Sequence, residues 1–166
     1  MLPFLEILTA FLVAVTMTFA LAHAAELPGK MRLGKDTYLA VQPIYYPGFT
    51  IGAFSEPAAI VATLVLFVVT WVKGVASWEL LAAFALLFIM HAVYWTVTHP
   101  VNNFWLSDQK LTGVSAGFFS LGATGNPANR GGEDWKRLRN RWEYSHVARA
   151  ALCVLSLILV LVAVTT

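Results

Sequence analysis

Trp142, His146, Arg149 and Cys153 follow one another at intervals of four, three and four residues, and His91, Trp95 and His99 recur at every fourth position. Such intervals place side chains on one face of a helix, so each set forms a stripe turned toward a neighbour. A neutral imidazole exchanges protons near physiological pH, and a guanidinium holds an anionic oxygen through a fork of N–H donors. Together they suit proton abstraction from a substrate that becomes an oxyanion. His91 and His99 lie about 12 Å apart along a helix axis, from its rise of about 1.5 Å per residue. They are therefore expected to border two ends of an elongated pocket instead of sharing one ion. As a buried neutral ring, His91 would take a backbone or hydroxyl partner, such as Thr16 or Thr18 of the first helix.

Carboxylates add a second possibility. His23 and Glu26, and Glu143 and His146, each stand one helical turn apart, and Glu56 supplies a further oxygen donor. This is the carboxylate-and-histidine composition of di-iron four-helix bundles, with His23, Glu26, Glu56 and Glu143 as the candidate metal ligands. The same acids also suit an interfacial position, solvated or paired with loop arginines. Arg149 falls about a turn inside an apolar run, where an unpaired guanidinium is costly, so Glu26, Glu56 or an anionic substrate group is its expected partner.

The elements that position these residues follow from composition. Of 166 residues, 58% are hydrophobic and 12% charged, with a mean hydropathy of +0.69. A chain this short has too little interior to hide so much apolar surface from water, which excludes an ordinary soluble globule. Apolar runs of spanning length lie at about 4–25, 57–72, 78–98 and 146–165, and the last helix is expected to begin before the membrane, giving 135–165. The expectation is a single all-α membrane domain over 1–166, a four-transmembrane-helix bundle with two long loops. Ala22-His23-Ala24 imitates a signal-cleavage site, but the run before it is long, carries Glu6 and has no Lys or Arg, so it reads as a retained helix. Cys153, the sole cysteine, reads as packing within an apolar run.

The connections differ in kind. About thirty residues join the first two helices, and Tyr38, Tyr45, Tyr46 and Phe49 there suit the headgroup level. Residues 73–77 form a tight turn. A Gly-rich stretch at 107–132, with a weakly amphipathic piece at 107–121, separates the last two helices. Lys30, Arg32, Lys35, Lys110, Arg130, Lys136, Arg137, Arg139 and Arg141 fall in the two long loops, against Lys73 alone at the other end. That bias puts loops 26–56 and 99–141 in the cytoplasm and both termini outside, as in a cell inner membrane. It also accounts for the net charge of +2 without a nucleic-acid partner. The lipid bilayer and a lipophilic small molecule are the partners expected, and self-association is compatible with so much exposed helix surface.

Two segments carry a family likeness. Pro100-Val101-Asn102-Asn103-Phe104-Trp105-Leu106, with Arg141-Trp142-Glu143-Tyr144-Ser145-His146-Val147-Ala148-Arg149 opening the last helix, resembles the anthrone-oxygenase-like family of small membrane proteins, and the likeness extends over nearly the whole chain. The resemblance implies a four-helix membrane fold and a role in oxidising anthrones to anthraquinones with molecular oxygen and no cofactor. By position, Asn102, Trp142, His146 and Arg149 correspond to the family's recurring polar residues. The Gly-rich stretch and His99 before Pro100 depart from it.

Three functions compete. In the first, a membrane oxidoreductase acts on a lipophilic phenol, anthrone or quinone. His146 or His99 is the base, Arg149 and Asn102 steady the enolate, Trp95, Trp105 and Trp142 stack on the rings, and His91 borders the pocket. In the second, haem or iron is held by pairs among His23, His91, His99 and His146, with Arg149 on the propionates, or by the carboxylate set. In the third, the polar belt only holds together a non-enzymatic membrane subunit. No phosphate-binding, dinucleotide-binding or Ser–His–Asp pattern is present.

Overall fold

The computed structural model describes residues 2–46, 48–75, 77–105 and 135–165. The Gly-rich stretch and its amphipathic piece lie outside them. The described elements are helical: α1 (Leu2–Lys30), α2 (Lys35–Val41) running into a 3-10 turn (Gln42–Tyr45), α3 (Thr50–Val72), α4 (Trp78–Val93), a π turn (Tyr94–Thr98), α5 (His99–Trp105) and α6 (Trp135–Thr165). Four runs are long and apolar enough to cross a membrane: α1, α3, the continuous Trp78–Asn102 and α6. The protein is an integral membrane four-helix bundle. α1 and α4 each pack between α3 and α6, which closes the ring.

The inward seams alternate steps of three and four, the repeat that keeps one stripe on a neighbouring helix. On α6 the buried seam is Trp142, His146, Arg149, Cys153, Ser156 and Val160; on α1 it is Thr9, Val13, Thr16, Ala20 and His23. Val13, Ala59, Leu66, Leu80, Leu87, Met90, Cys153 and Val160 fill the middle of the bundle. Small hydroxyls tie the helices there, Thr9 donating to the Ala62 carbonyl at 3.4 Å and Ser156 to the Ala83 carbonyl at 3.1 Å. Phe11, Val65, Val68, Phe88 and Leu155 point outward, as lipid-facing residues should.

The expected tight turn joins α3 to α4. Gly74, at φ +79°, takes the left-handed conformation that ends α3, while the Val75 and Gly74 N–H groups bond the Thr70 and Trp71 carbonyls, each at 3.0 Å. Ser77 caps α4 by accepting from the Leu80 N–H at 3.4 Å.

Three features differ from expectation. α1 and α3 extend beyond the apolar runs, because hydropathy marks only what lipid covers. Pro57, taken as a helix start, lies inside α3, and Pro28 lies inside α1. The helix that carries His91, Trp95 and His99 contains a π turn, where the His99 N–H reaches back five residues to the Tyr94 carbonyl. The rings nonetheless stay in sequence, Trp95 donating to His91 Nε2 at 2.9 Å and standing 4.8 Å from the His99 ring centre, while His99 itself is buried. Pro100 has no N–H for the Thr96 carbonyl, and Arg141 donates to it instead at 3.0 Å. Finally, the connection after α1 turns some of its aromatic rings into the protein. Tyr38 and Tyr45 are buried with Val101, Trp105, Leu138 and Trp142 in a second apolar cluster that roofs one end of the bundle.

Candidate functional site

Two donor-only groups set the direction of a hydrogen-bond chain beneath that roof. An indole N–H only donates, so His91 Nε2 accepts from Trp95 Nε1 at 2.9 Å, which leaves His91 Nδ1–H to donate to Glu56 Oε2 at 3.1 Å. Glu56 and Trp95, not the α1 threonines, are thus the partners of His91. A guanidinium also only donates. Arg149 donates through Nη2 to Glu56 Oε1, and through Nη1 to His146 Nδ1 at 3.2 Å. With its Nδ1 lone pair engaged, neutral His146 carries its proton on Nε2, which has no partner among the described residues. Arg149 Nε is likewise buried without an acceptor among them. α6 therefore offers two buried N–H donors one turn apart.

The roof has its own ion pairs. Glu143 is wholly buried; it lies 2.9 Å from Lys30 Nζ and accepts from the Tyr38 hydroxyl at 2.9 Å. Lys30 also reaches Glu26 at 3.4 Å and stands 4.7 Å from the centre of the Trp142 ring. Tyr45 donates to Glu26 Oε2 at 2.6 Å, and Trp142 Nε1 donates to Asn102 Oδ1 at 2.6 Å. Burial, with Glu143 next to Tyr38 and Glu26 bonded to Tyr45, raises both hydroxyls above the usual phenol range, so both remain donors.

Between network and roof is a cavity of about 60 Å³. Seven residues singled out from the sequence line it: His23, Glu56, His91, Asn102, Trp142, His146 and Arg149. They come from all four spanning runs, so the polar residues do converge on one level. His23 packs against His146 with ring centres 4.1 Å apart and meets Trp142 edge-on at 5.0 Å. His99 is buried outside the wall, 3.2 Å from the Tyr94 hydroxyl. Trp95 is 36% exposed, and Trp105 packs in the roof against Tyr38 at 5.6 Å between ring centres. Glu26 and Glu143 belong to the roof. Sequence reasoning missed Phe19, Tyr45, Tyr46, Phe49 and Tyr94 on the wall and Lys30 in the roof. The run of aromatics at 45–49 was the available signal, and it also fits a headgroup position.

The four residues proposed as metal ligands are not brought together. Lys30 is shared by Glu26 and Glu143, whereas Glu56 is held by Arg149 and His91. Among the described residues no group of three or more His, Cys, Asp or Glu is disposed to hold a metal. Haem fits no better: His23 and His146 lie ring against ring instead of facing each other across a macrocycle, and both His91 nitrogens are engaged.

The sequence profile described as anthrone oxygenase matches residues 47–159. The chain belongs to the anthrone oxygenase family. No curated protein and no solved structure matches it. The family match begins after α1, so it is narrower than the expected likeness along nearly the whole chain. It takes in Glu56, His91, Asn102, Trp142, His146 and Arg149, and leaves outside it His23, Lys30, Tyr38 and Tyr45. In this member of the anthrone oxygenase family, α1 and the connection behind it complete the wall and roof around residues that lie inside the matched stretch. Membership carries an oxygenase-like, oxidoreductase role.

Proposed function

We propose that the protein oxidises a lipophilic anthrone or phenol with molecular oxygen at the cavity beneath the roof. The observation that carries this is a pair of buried donors without partners among the described residues, His146 Nε2–H and Arg149 Nε–H, on two residues of a wall rich in aromatic rings. Donors without acceptors favour a carbonyl or phenolate oxygen as ligand. They hold it more strongly as negative charge develops, so they lower a barrier leading to an enolate. His146 is then a donor to the substrate oxygen, not the base. Arg149 orients it through Nδ1, and Asn102 acts indirectly by fixing the Trp142 ring.

For an anthrone the chemistry balances without an added reductant. A ring-methylene C–H bond breaks, and the enolate passes its electrons to oxygen in single-electron steps while a C–O bond forms. The resulting hydroperoxide loses its second C–H hydrogen and cleaves its O–O bond, so anthrone and one oxygen molecule become anthraquinone and one water. A cavity of about 60 Å³ accepts the reacting edge of such a molecule, well short of the roughly 300 Å³ of a complete small-molecule pocket. Entry of the whole substrate therefore requires Tyr45, Tyr46 and Phe49 to move. The cation bias supports an orientation with this end of the bundle toward the cytoplasm of a cell inner membrane.

The test is oxygen uptake by the detergent-purified or nanodisc-embedded protein supplied with an anthrone. Turnover should consume oxygen and form anthraquinone in equal amounts, and His146→Phe, which keeps a flat ring without the N–H, should lower kcat by about 10²–10³. A wild-type rate no greater than spontaneous autoxidation, or full activity in His146→Phe, refutes the proposal.

A further inference from the structure

The donors on α6 account for where the charge goes but not for where the proton goes. His91 has no free lone pair, since Nε2 accepts from Trp95 and Nδ1–H donates to Glu56. His146 has none either, with Nδ1 held by Arg149, and His99 is off the wall. His23 differs. It is 5% exposed, lines the cavity, and has no hydrogen-bond partner among the described residues, its buried Nδ1 lying on the Glu26 side of the ring. Its neighbours are rings, with Phe49 at 4.4 Å and Tyr45 at 4.6 Å between centres besides His146 and Trp142.

One carboxylate approaches it. Glu26 Oε2 stands 4.0 Å from His23 Nδ1, one turn along α1, and the Glu26 side chain is 42% exposed. Tyr45 and Lys30 hold that carboxylate at 2.6 Å and 3.4 Å. A gap of 4.0 Å is longer than a hydrogen bond, and catalytic contacts of this kind tighten when substrate binds. Glu26 thus links a buried imidazole to the outside of the bundle.

We infer that His23 is the general base that takes the substrate proton, and that Glu26 carries the proton from His23 to water. This rests on the proposed anthrone oxidation, and both residues lie outside the stretch matched to the family. As the C–H bond breaks, its electron pair stays on the substrate as an enolate held by the His146 and Arg149 donors. The proton passes to His23 Nε2 while Nδ1 gives up its own to Glu26, which releases it to water. The two imidazoles 4.1 Å apart therefore have opposite duties, one giving a hydrogen bond and the other receiving a proton.

The test uses the full chain in nanodiscs and two readouts: anthrone turnover, and binding of a hydroxyanthraquinone product analogue followed by tryptophan quenching. His23→Gln should lower turnover by about 10²–10⁴ while analogue affinity changes by no more than about threefold. Added imidazole should restore part of the turnover of His23→Ala. Glu26→Gln, at a half-exposed position, should slow turnover about tenfold and enlarge the solvent deuterium isotope effect. Wild-type turnover in His23→Gln with the analogue still bound overturns the base assignment and leaves the oxidation standing. If His23→Gln loses the analogue through misfolding, Glu26→Gln decides, and an unchanged rate and isotope effect overturn the relay. A wild-type protein that neither binds the analogue nor oxidises anthrone overturns both proposals together.

Discussion

Glu56→Leu should be among the most damaging single changes in the bundle. Glu56 and Arg149 are each 6% exposed, and the carboxylate also accepts from His91 at 3.1 Å. Removing one member of a buried pair leaves the other charge uncompensated, which costs about 3–5 kcal/mol. Here a second donor, His91 Nδ1–H, loses its acceptor, so the upper half of that range is expected. Replacing both members with apolar residues removes the uncompensated charge as well, so Glu56→Leu with Arg149→Met should recover most of the loss, to within about 1–2 kcal/mol of wild type. The assay is reversible unfolding in mixed micelles of rising SDS fraction, for wild type, both single variants and the double. The double should fold yet lack anthrone turnover, because Arg149 orients His146. A cost below about 1 kcal/mol for Glu56→Leu, or a double variant no better than the worse single, would show that Arg149 is solvated or that shape governs the site.

Four other outcomes are expected. Tyr38→Phe removes a donor from wholly buried Glu143 and should cost about 1.5–3 kcal/mol by the same unfolding assay. The pH dependence follows from the raised hydroxyls of Tyr38 and Tyr45: the folded chain keeps protons that the unfolded chain loses near pH 10, so stability is full below about pH 10 and declines above it. Tyr38→Phe should make that alkaline decline shallower, measured as unfolding free energy from about pH 9 to 11. Gly74→Ala, at φ +79°, should destabilise the α3–α4 turn by about 1 kcal/mol. For orientation, a cysteine in place of Lys35 should be shielded from an impermeant thiol reagent in intact cells and one in place of Lys73 labelled; the reverse pattern would invert the proposed topology.

Much of this architecture is written in one dimension. Spans need only an apolar run of sufficient length, and lipid demands that backbone groups be satisfied within each span, so four runs had to become four helices. The α6 seam was equally legible, because alternating steps of three and four keep Trp142, His146, Arg149 and Cys153 on one inward stripe. The same reasoning put Trp95 between His91 and His99, both of which it touches, but it assumes an unbroken α-helix and so missed the π turn. The π turn before Pro100, with Arg141 on the Thr96 carbonyl, is a long-range remedy that local spacing does not announce.

Sequence alone determined the membrane class, the helix count and the level at which polar residues gather, because those depend on composition and on the period of a helix. Only the tertiary structure decided which cation meets which carboxylate. Glu56 had several possible partners, and Lys30 counted merely as a loop charge until the fold placed it 2.9 Å from Glu143. Pairing in a low-dielectric interior depends on distances between separate helices, and the direction of each hydrogen bond follows from its donor-only end. Those two facts give His146 a proton to offer and leave His23 able to accept one, a difference that two histidines in a linear sequence do not display.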